Sequence, residues 1–185
     1  MSSNDKFIFR AIGFVRSPNT DPSKTPIQPT YAKDIEGRVE VLPEFAEGLR
    51  DIEGFSHIYL IFALDRAGEP KLIVKPYLSD ELRGVFATRA PSRPNAIGMS
   101  LVRLLGREGN VLHISGVDIL DGTPVLDIKP YSSRLDSRLD AASGWLEDVD
   151  SETAERRGRR GRARGAERGE DDGTTGDGGN RCGDE

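Results

Sequence analysis

The chain has 185 residues and a formal net charge of −5, with 36% hydrophobic and 31% charged residues. No stretch approaches the ~18–20 consecutive apolar residues of a membrane span, and Met1-Ser2-Ser3-Asn4-Asp5 lacks the basic and apolar regions of a signal peptide. One cysteine and two histidines leave no disulfide framework and argue against thiolate or histidine-rich metal centres.

These features predict a cytoplasmic protein with no metal and no membrane partner, and the acidic balance argues against a broadly basic nucleic-acid binder. The composition is split. All aromatic residues and all prolines precede residue 151, while residues 151–185 offer only Ala154, Ala163, Ala166 and Cys182 from the apolar set. The expected organisation is a domain over 1–147 and a disordered Arg/Gly/acidic tail over 148–185, which cannot offset its own chain entropy. Removing 151–185 is expected to leave fold and cofactor affinity intact.

Lys6 to Arg16 is rich in aromatic and β-branched residues and predicts a first strand, ended by Ser17-Pro18. Four prolines between 18 and 30 then predict a long irregular loop. Glu36–Leu42 alternates as a half-buried strand, and Pro43–Leu49 predicts a short helix with proline in its first turn. His57–Leu64 is continuously apolar and predicts a strand covered on both faces. Further strands are expected at Lys71–Lys75, Gly84–Thr88, Ile97–Leu105, Val111–Gly116 and Pro124–Ile128. Strands this short and frequent predict a mainly β fold, a small closed or nearly closed barrel with one or two short helices.

The window from Leu82 to Arg107 carries five arginines and no acid inside an acidic protein. Pro91 and Pro94 stiffen the loop at its centre, so Arg89, Arg93 and Asn95 stand on a fixed backbone, as a site for carboxylate or phosphate requires. A second candidate is the turn Asp118 to Pro124, with Asp121-Gly122 at its tip; Lys129-Pro130-Tyr131 follows the next strand. Taken alone, that turn reads as a hairpin and His57 as a hydrogen-bonded core histidine.

In this order, Ile12–Pro18, Glu53–Ile58, Gly84–Ser100 and Asp118–Tyr131 resemble the TsaA/TrmO-like family of tRNA methyltransferases. The strings Ala87-Thr88-Arg89…Arg93-Pro94-Asn95…Ile97-Gly98 and Asp121-Gly122-Thr123-Pro124…Asp127-Ile128-Lys129-Pro130-Tyr131 are the most specific. Ala96 stands where family members commonly carry proline, and the Arg/Gly tail does not resemble the second domain of longer bacterial members. The resemblance implies a β-barrel that binds S-adenosylmethionine, forms a homodimer, and methylates N6 of N6-threonylcarbamoyladenosine beside the anticodon of a threonine tRNA.

On that reading, Pro29, Thr30, Tyr31, Phe62, Ala63, Leu64, Asp65, Leu101 and the Asp121-Gly122-Thr123-Pro124 turn are expected to line the cofactor site. Arg89 or Arg93 would meet a carboxylate of cofactor or substrate, with Arg89 assigned to the former and Arg93, Asn95 and His57 to the latter. The proton on the acceptor nitrogen would leave to a base among Asp118, Asp121, Lys129, Tyr131 or water, with Asp118, Lys129 and Tyr131 the catalytic candidates. Alternatives are a methyltransferase of this fold with another acceptor, and a non-catalytic barrel binding an adenosine ligand or RNA.

Overall fold

The structure, a computed structural model, describes residues 6–160. Eight strands form: β1 (Gly13–Arg16), β2 (Glu36–Val41), β3 (His57–Ala63), β4 (Ile73–Val74), β5 (Arg83–Gly84), β6 (Ile97–Glu108), β7 (Val111–Ser115) and β8 (Pro124–Pro130). Six of them close an antiparallel barrel in the order β1-β2-β7-β6-β3-β8, while β4 and β5 make a separate two-stranded ribbon. The expected barrel is therefore present, and it is fully closed.

The alternating pattern builds its interior. Val39 and Val41 of β2, Ile58, Leu60 and Phe62 of β3, Val102 and Leu104 of β6, Leu112 and Ile114 of β7, and Val125 of β8 point inward and are buried. In β3 the burial alternates, so His57, Tyr59 and Ile61 on the outer face are only half-buried. The expectation of a strand covered on both faces fails because a closed barrel has one interior, and nothing covers this strand fully from outside.

Two further expectations shift. The first strand does not begin at Lys6: Val41, the last residue of β2, pairs with Gly13, and the backbone bonds of Ile12 to Leu42 and Val125 are the last before the strand gives out toward Lys6. Phe7, Ile8 and Phe9 are exposed instead. Gly84–Thr88 does not continue as a strand, because a 3-10 turn at Val85–Ala87 follows β5 and the Thr88 amide and hydroxyl both donate to the Val85 carbonyl. Pro43–Leu49 is helical as expected, in the 3-10 form.

Order also reaches past residue 147. After the short helix α1 (Ser133–Asp136), a second helix α2 spans Ser151–Gly158. Asp150 caps it by accepting from the Thr153 amide at 2.8 Å. Its Gly158 is buried against Tyr31, so the docked face substitutes for the apolar stripe that the sequence lacks. Residues 161–185, the remainder of the expected tail, lie outside the described residues.

Gly98 of β6 faces Phe62 of β3, and a Cβ placed there would overlap the ring. Gly98→Ala must therefore displace a core aromatic and is expected to lower stability by about 1–3 kcal/mol. Urea denaturation of the two proteins measures this, and an unchanged midpoint would show that the ring turns aside at no cost.

Candidate functional site

The connection between β7 and β8 is pinned to the segment after β1. Asn19 Nδ2 donates to the carbonyls of Val117 at 2.9 Å and Ile119 at 3.2 Å. Ser17 Oγ donates to the Ile119 carbonyl at 2.7 Å, and the Ser17 amide donates to Asp121 Oδ1 at 3.1 Å. Val117 and Ile119 point into the core and are buried. Asp118 lies between these two fixed residues, and its carboxyl accepts from Ser100 Oγ at 2.6 Å. Ser100 is a buried polar residue on the inward face of β6, opposite Leu60. Desolvation pushes the Asp118 carboxyl up to about 7, against the downward pull of the Ser100 hydroxyl, its own backbone amide and the Arg89 charge.

Arg89 arrives from the proline-stiffened loop between β5 and β6. Arg93 folds that loop: its Nη1 donates to the carbonyls of Val85 at 3.1 Å and Thr88 at 2.9 Å, and its guanidinium lies 5.7 Å from the Phe86 ring. Trp145 Nε1 secures it from outside by donating to the Ala87 carbonyl at 2.8 Å. Held in this way, Arg89 Nη1 donates to Gln28 Oε1 of the long proline-rich loop. Among the described residues Arg89 forms no ion pair, so its charge is left for an incoming anion. That charge acts on Asp118 and also on Tyr59, whose hydroxyl is held above its ordinary pKa chiefly by desolvation. Gln28, Arg89, Ser100 and Asp118 thus converge from four separate segments.

The remaining expected site residues divide among other places. Tyr131 packs edge-on against His57 at 6.2 Å and Tyr59 at 5.9 Å, while its amide donates to the His57 carbonyl. His57 Nδ1 and Ser56 Oγ share a hydrogen bond of 2.9 Å. Lys129 is exposed and paired with Asp127 at 2.8 Å. Phe62 is core, Leu101 lies opposite Tyr59 on the outer side of β6, and the Leu64 amide donates to the Ala96 carbonyl, tying the end of β3 to the site loop. Ala63 pairs with Ile97, Asp65 lies 3.6 Å from Arg66, and the Asn95 carbonyl accepts from the Ile97 amide.

The Asp121-Gly122-Thr123-Pro124 turn closes the barrel. The Gly122 amide donates to the Val15 carbonyl, the Val15 amide donates to the Thr123 carbonyl, and Pro124 pairs with Phe14. Pro29, Thr30 and Tyr31 form a 3-10 turn directly after Gln28, with the Tyr31 ring against Gly158. Gln28 and Ser100 were not singled out from sequence. Ser100 had a readable signal, because a serine interrupts the inward row that includes Val102 and Leu104. Gln28 had none beyond its place in a proline-rich loop.

A closed antiparallel barrel whose polar cluster is built by three connecting loops and one strand defines a small all-β domain. The chain belongs to the tRNA-methyltransferase O N-terminal domain family, whose family model matches residues 14–137. It is 59% identical over 139 residues to a probable S-adenosyl-L-methionine-binding protein of Pyrococcus abyssi, covering 75% of this chain and 76% of that one. A tRNA (adenine(37)-N6)-methyltransferase of Escherichia coli is 36% identical over 153 residues, covering 77% of this chain and 65% of the enzyme. The crystal structure of a TrmO superposes with a TM-score of 0.66 at 44% identity, over 76% of this chain and 64% of that one. Among the described residues, no helix is long and apolar enough to cross a membrane and no acidic, histidine or cysteine cluster could hold a metal ion.

The raised pKa of Asp118 makes stability depend on pH in a definite direction. Between its ordinary value of 3.8 and about 7, the folded protein keeps a proton that the unfolded chain has lost. This contribution therefore weakens stability as pH rises across that window and levels off above it. Asp118→Asn is expected to remove that part of the slope, measured as unfolding free energy from pH 4 to 8 for both proteins. Equal slopes would show that the carboxyl titrates at its ordinary value.

Proposed function

We propose that the chain transfers the methyl group of S-adenosylmethionine to N6 of N6-threonylcarbamoyladenosine in a threonine tRNA, acting as a cytoplasmic homodimer. Membership in the family supports the reading, as do relatives whose names state S-adenosyl-L-methionine binding and adenine-N6 methylation of tRNA. The observation that carries it is Asp118: a carboxyl oriented by Ser100, pushed up to about 7 by desolvation, and within the field of Arg89, which forms no ion pair among the described residues.

The donor set suits the cofactor's chemistry. Its methionyl end needs a cation for the carboxylate and an acceptor for the ammonium, while its sulfonium must not face a wall of cations. Arg89 can supply the first, with a fork geometry matched to a carboxylate. Loop carbonyls beside it can supply the second, and the adjoining Val117, Ile119 and Leu60 are apolar and buried. When bound, S-adenosylmethionine supplies an electrophilic methyl group.

The chain's own residues then have two tasks. Fixed loops would orient the acceptor nitrogen toward the bound cofactor, which matters because a urea-like nitrogen is a weak nucleophile. Asp118, whose carboxyl is pushed up to about 7 and so ionises increasingly above neutral pH, accepts the proton that this nitrogen loses. Lys129 is less suited to that role because it is exposed and engaged with Asp127. Arg93, committed to the Val85 and Thr88 carbonyls, gives the substrate side its fixed loop.

Labelled-methyl transfer to threonine tRNA with and without its threonylcarbamoyl group tests the reading, with label expected only on the modified RNA. Asp118→Asn is expected to lower kcat by about 10²–10⁴-fold while leaving cofactor binding in place. Cofactor binding without transfer to the modified tRNA would overturn the proposal, and label on another acceptor would redirect it.

A further inference from the structure

The C-terminal segment packs on the loop that carries Gln28, through backbone as well as side chains. The Ile27 amide donates to the Gly158 carbonyl at 3.0 Å. A Cβ on Gly158 would fall 2.5 Å from the Tyr31 ring, so helix and ring can lie this close only without a side chain there. The Gln28 side-chain amide works in two directions: its Nε2 donates to the Ile27 carbonyl at 2.7 Å, and its Oε1 accepts from Arg89. A continuous chain of contacts therefore runs from α2 to the Arg89 guanidinium.

Three arginines hold the helix in place. Arg157 Nη2 donates to Asp80 Oδ2 at 2.9 Å, and Arg159 lies 3.7 Å from Asp34 while also pairing with Glu155. Arg160 donates to the Pro22 carbonyl and stacks 3.9 Å above the Tyr77 ring. Pro22 and Asp34 bracket the loop that contains Gln28, and Tyr77 and Asp80 belong to the connection between β4 and β5. The helix thus fastens the site loop at both ends and ties it to the ribbon beside it. Exposed ion pairs contribute little individually, so the buried Gly158–Tyr31 contact and the Ile27–Gly158 bond carry most of the docking.

We propose that α2 is a clasp that sets the position of Arg89 through Gly158, Ile27 and Gln28, which makes Gln28 a positioning residue for the anion-binding arginine. The proposal rests on the reading of Arg89 as the partner of the cofactor carboxylate. An arginine already ordered by a neighbouring amide loses less rotamer freedom when its anion arrives, so affinity rises without any added ligand contact. On this proposal, loss of the part that forms α2 weakens cofactor affinity, in contrast to the expectation from sequence that residues 151–185 are dispensable for it.

Calorimetric titration of the full chain with S-adenosylhomocysteine, which keeps the carboxylate and lacks the methyl group, provides the test. Gly158→Ala favours the helix itself but forces the Tyr31 ring away, and is expected to weaken binding about tenfold. Gln28→Leu is expected to do the same, and the double variant to bind no more weakly than Gln28→Leu alone, since both act along one route. Hydrogen exchange at the Ile27 amide is expected to quicken in Gly158→Ala while the amides of β2 and β3 keep their protection. Wild-type affinity in both single variants, or losses that simply add, would overturn the clasp. A wild-type chain that fails to bind would instead overturn the cofactor reading and the proposal with it, and is readily told apart from binding that ignores both substitutions.

Discussion

The structure depends on how the barrel closes. Paired strands β3 and β6 share seven register positions, but β8 meets β1 at only two, Gly13 with Val125 and Phe14 with Pro124. So short a seam would fray without help, and the help comes from loops. Ser17, Asn19 and Asp121 exchange side-chain and backbone hydrogen bonds across it, and the Gly122 amide caps the Val15 carbonyl. These bonds hold the connection from Val117 to Thr123 in one conformation, and Asp118 sits inside that connection. Barrel closure and placement of the candidate base are therefore consequences of one set of hydrogen bonds.

The arginine on the other side of the site is held by different means. Two prolines restrict the backbone around Arg89, Arg93 ties off the loop from within, and Trp145 ties it from outside. Asp118 and Arg89 are consequently fixed by independent scaffolds, one belonging to the seam and one to the β5–β6 loop. They affect one another mainly through charge: Arg89 favours the ionised carboxyl, while desolvation opposes it and prevails. That balance places the titration of Asp118 near neutrality instead of in the ordinary carboxylate range.

Much of this was legible in the sequence, and what was not has specific causes. The strands of the barrel follow from alternating apolar residues, because the pleat demands that pattern wherever only one face is covered. Phe7-Ile8-Phe9 carries the same residue types and forms no strand, because pairing requires a neighbour and β2 has ended. The acid-free window contains the loop that carries Arg89, yet charge type does not give direction. Arg93 and Arg89 look equivalent in sequence, and only the fold shows that one turns back into its own loop. The Asp121-Gly122-Thr123-Pro124 string stood out among the residues that carry the family resemblance; in the structure its backbone closes the seam, and Asp118 beside it faces the cluster. Helix α2 was hidden because its buried face relies on a glycine, a residue that pattern reading counts against a helix.

The closed barrel has a further consequence for how the molecule can meet others. Every barrel strand has both neighbours supplied by its own chain, and unpaired edge remains where a strand outruns a shorter neighbour, as Leu126–Pro130 of β8 outruns β1 and Ile97–Val102 of β6 outruns β7. Annealing of strands, a common and unselective route to association, is thereby held to short stretches. The β4–β5 ribbon adds little to them, because it is only two residues long on each side. Most of the surface through which this protein can recognise others consists of side chains and loop backbone, the parts of the sequence that can change without altering the strands beneath them.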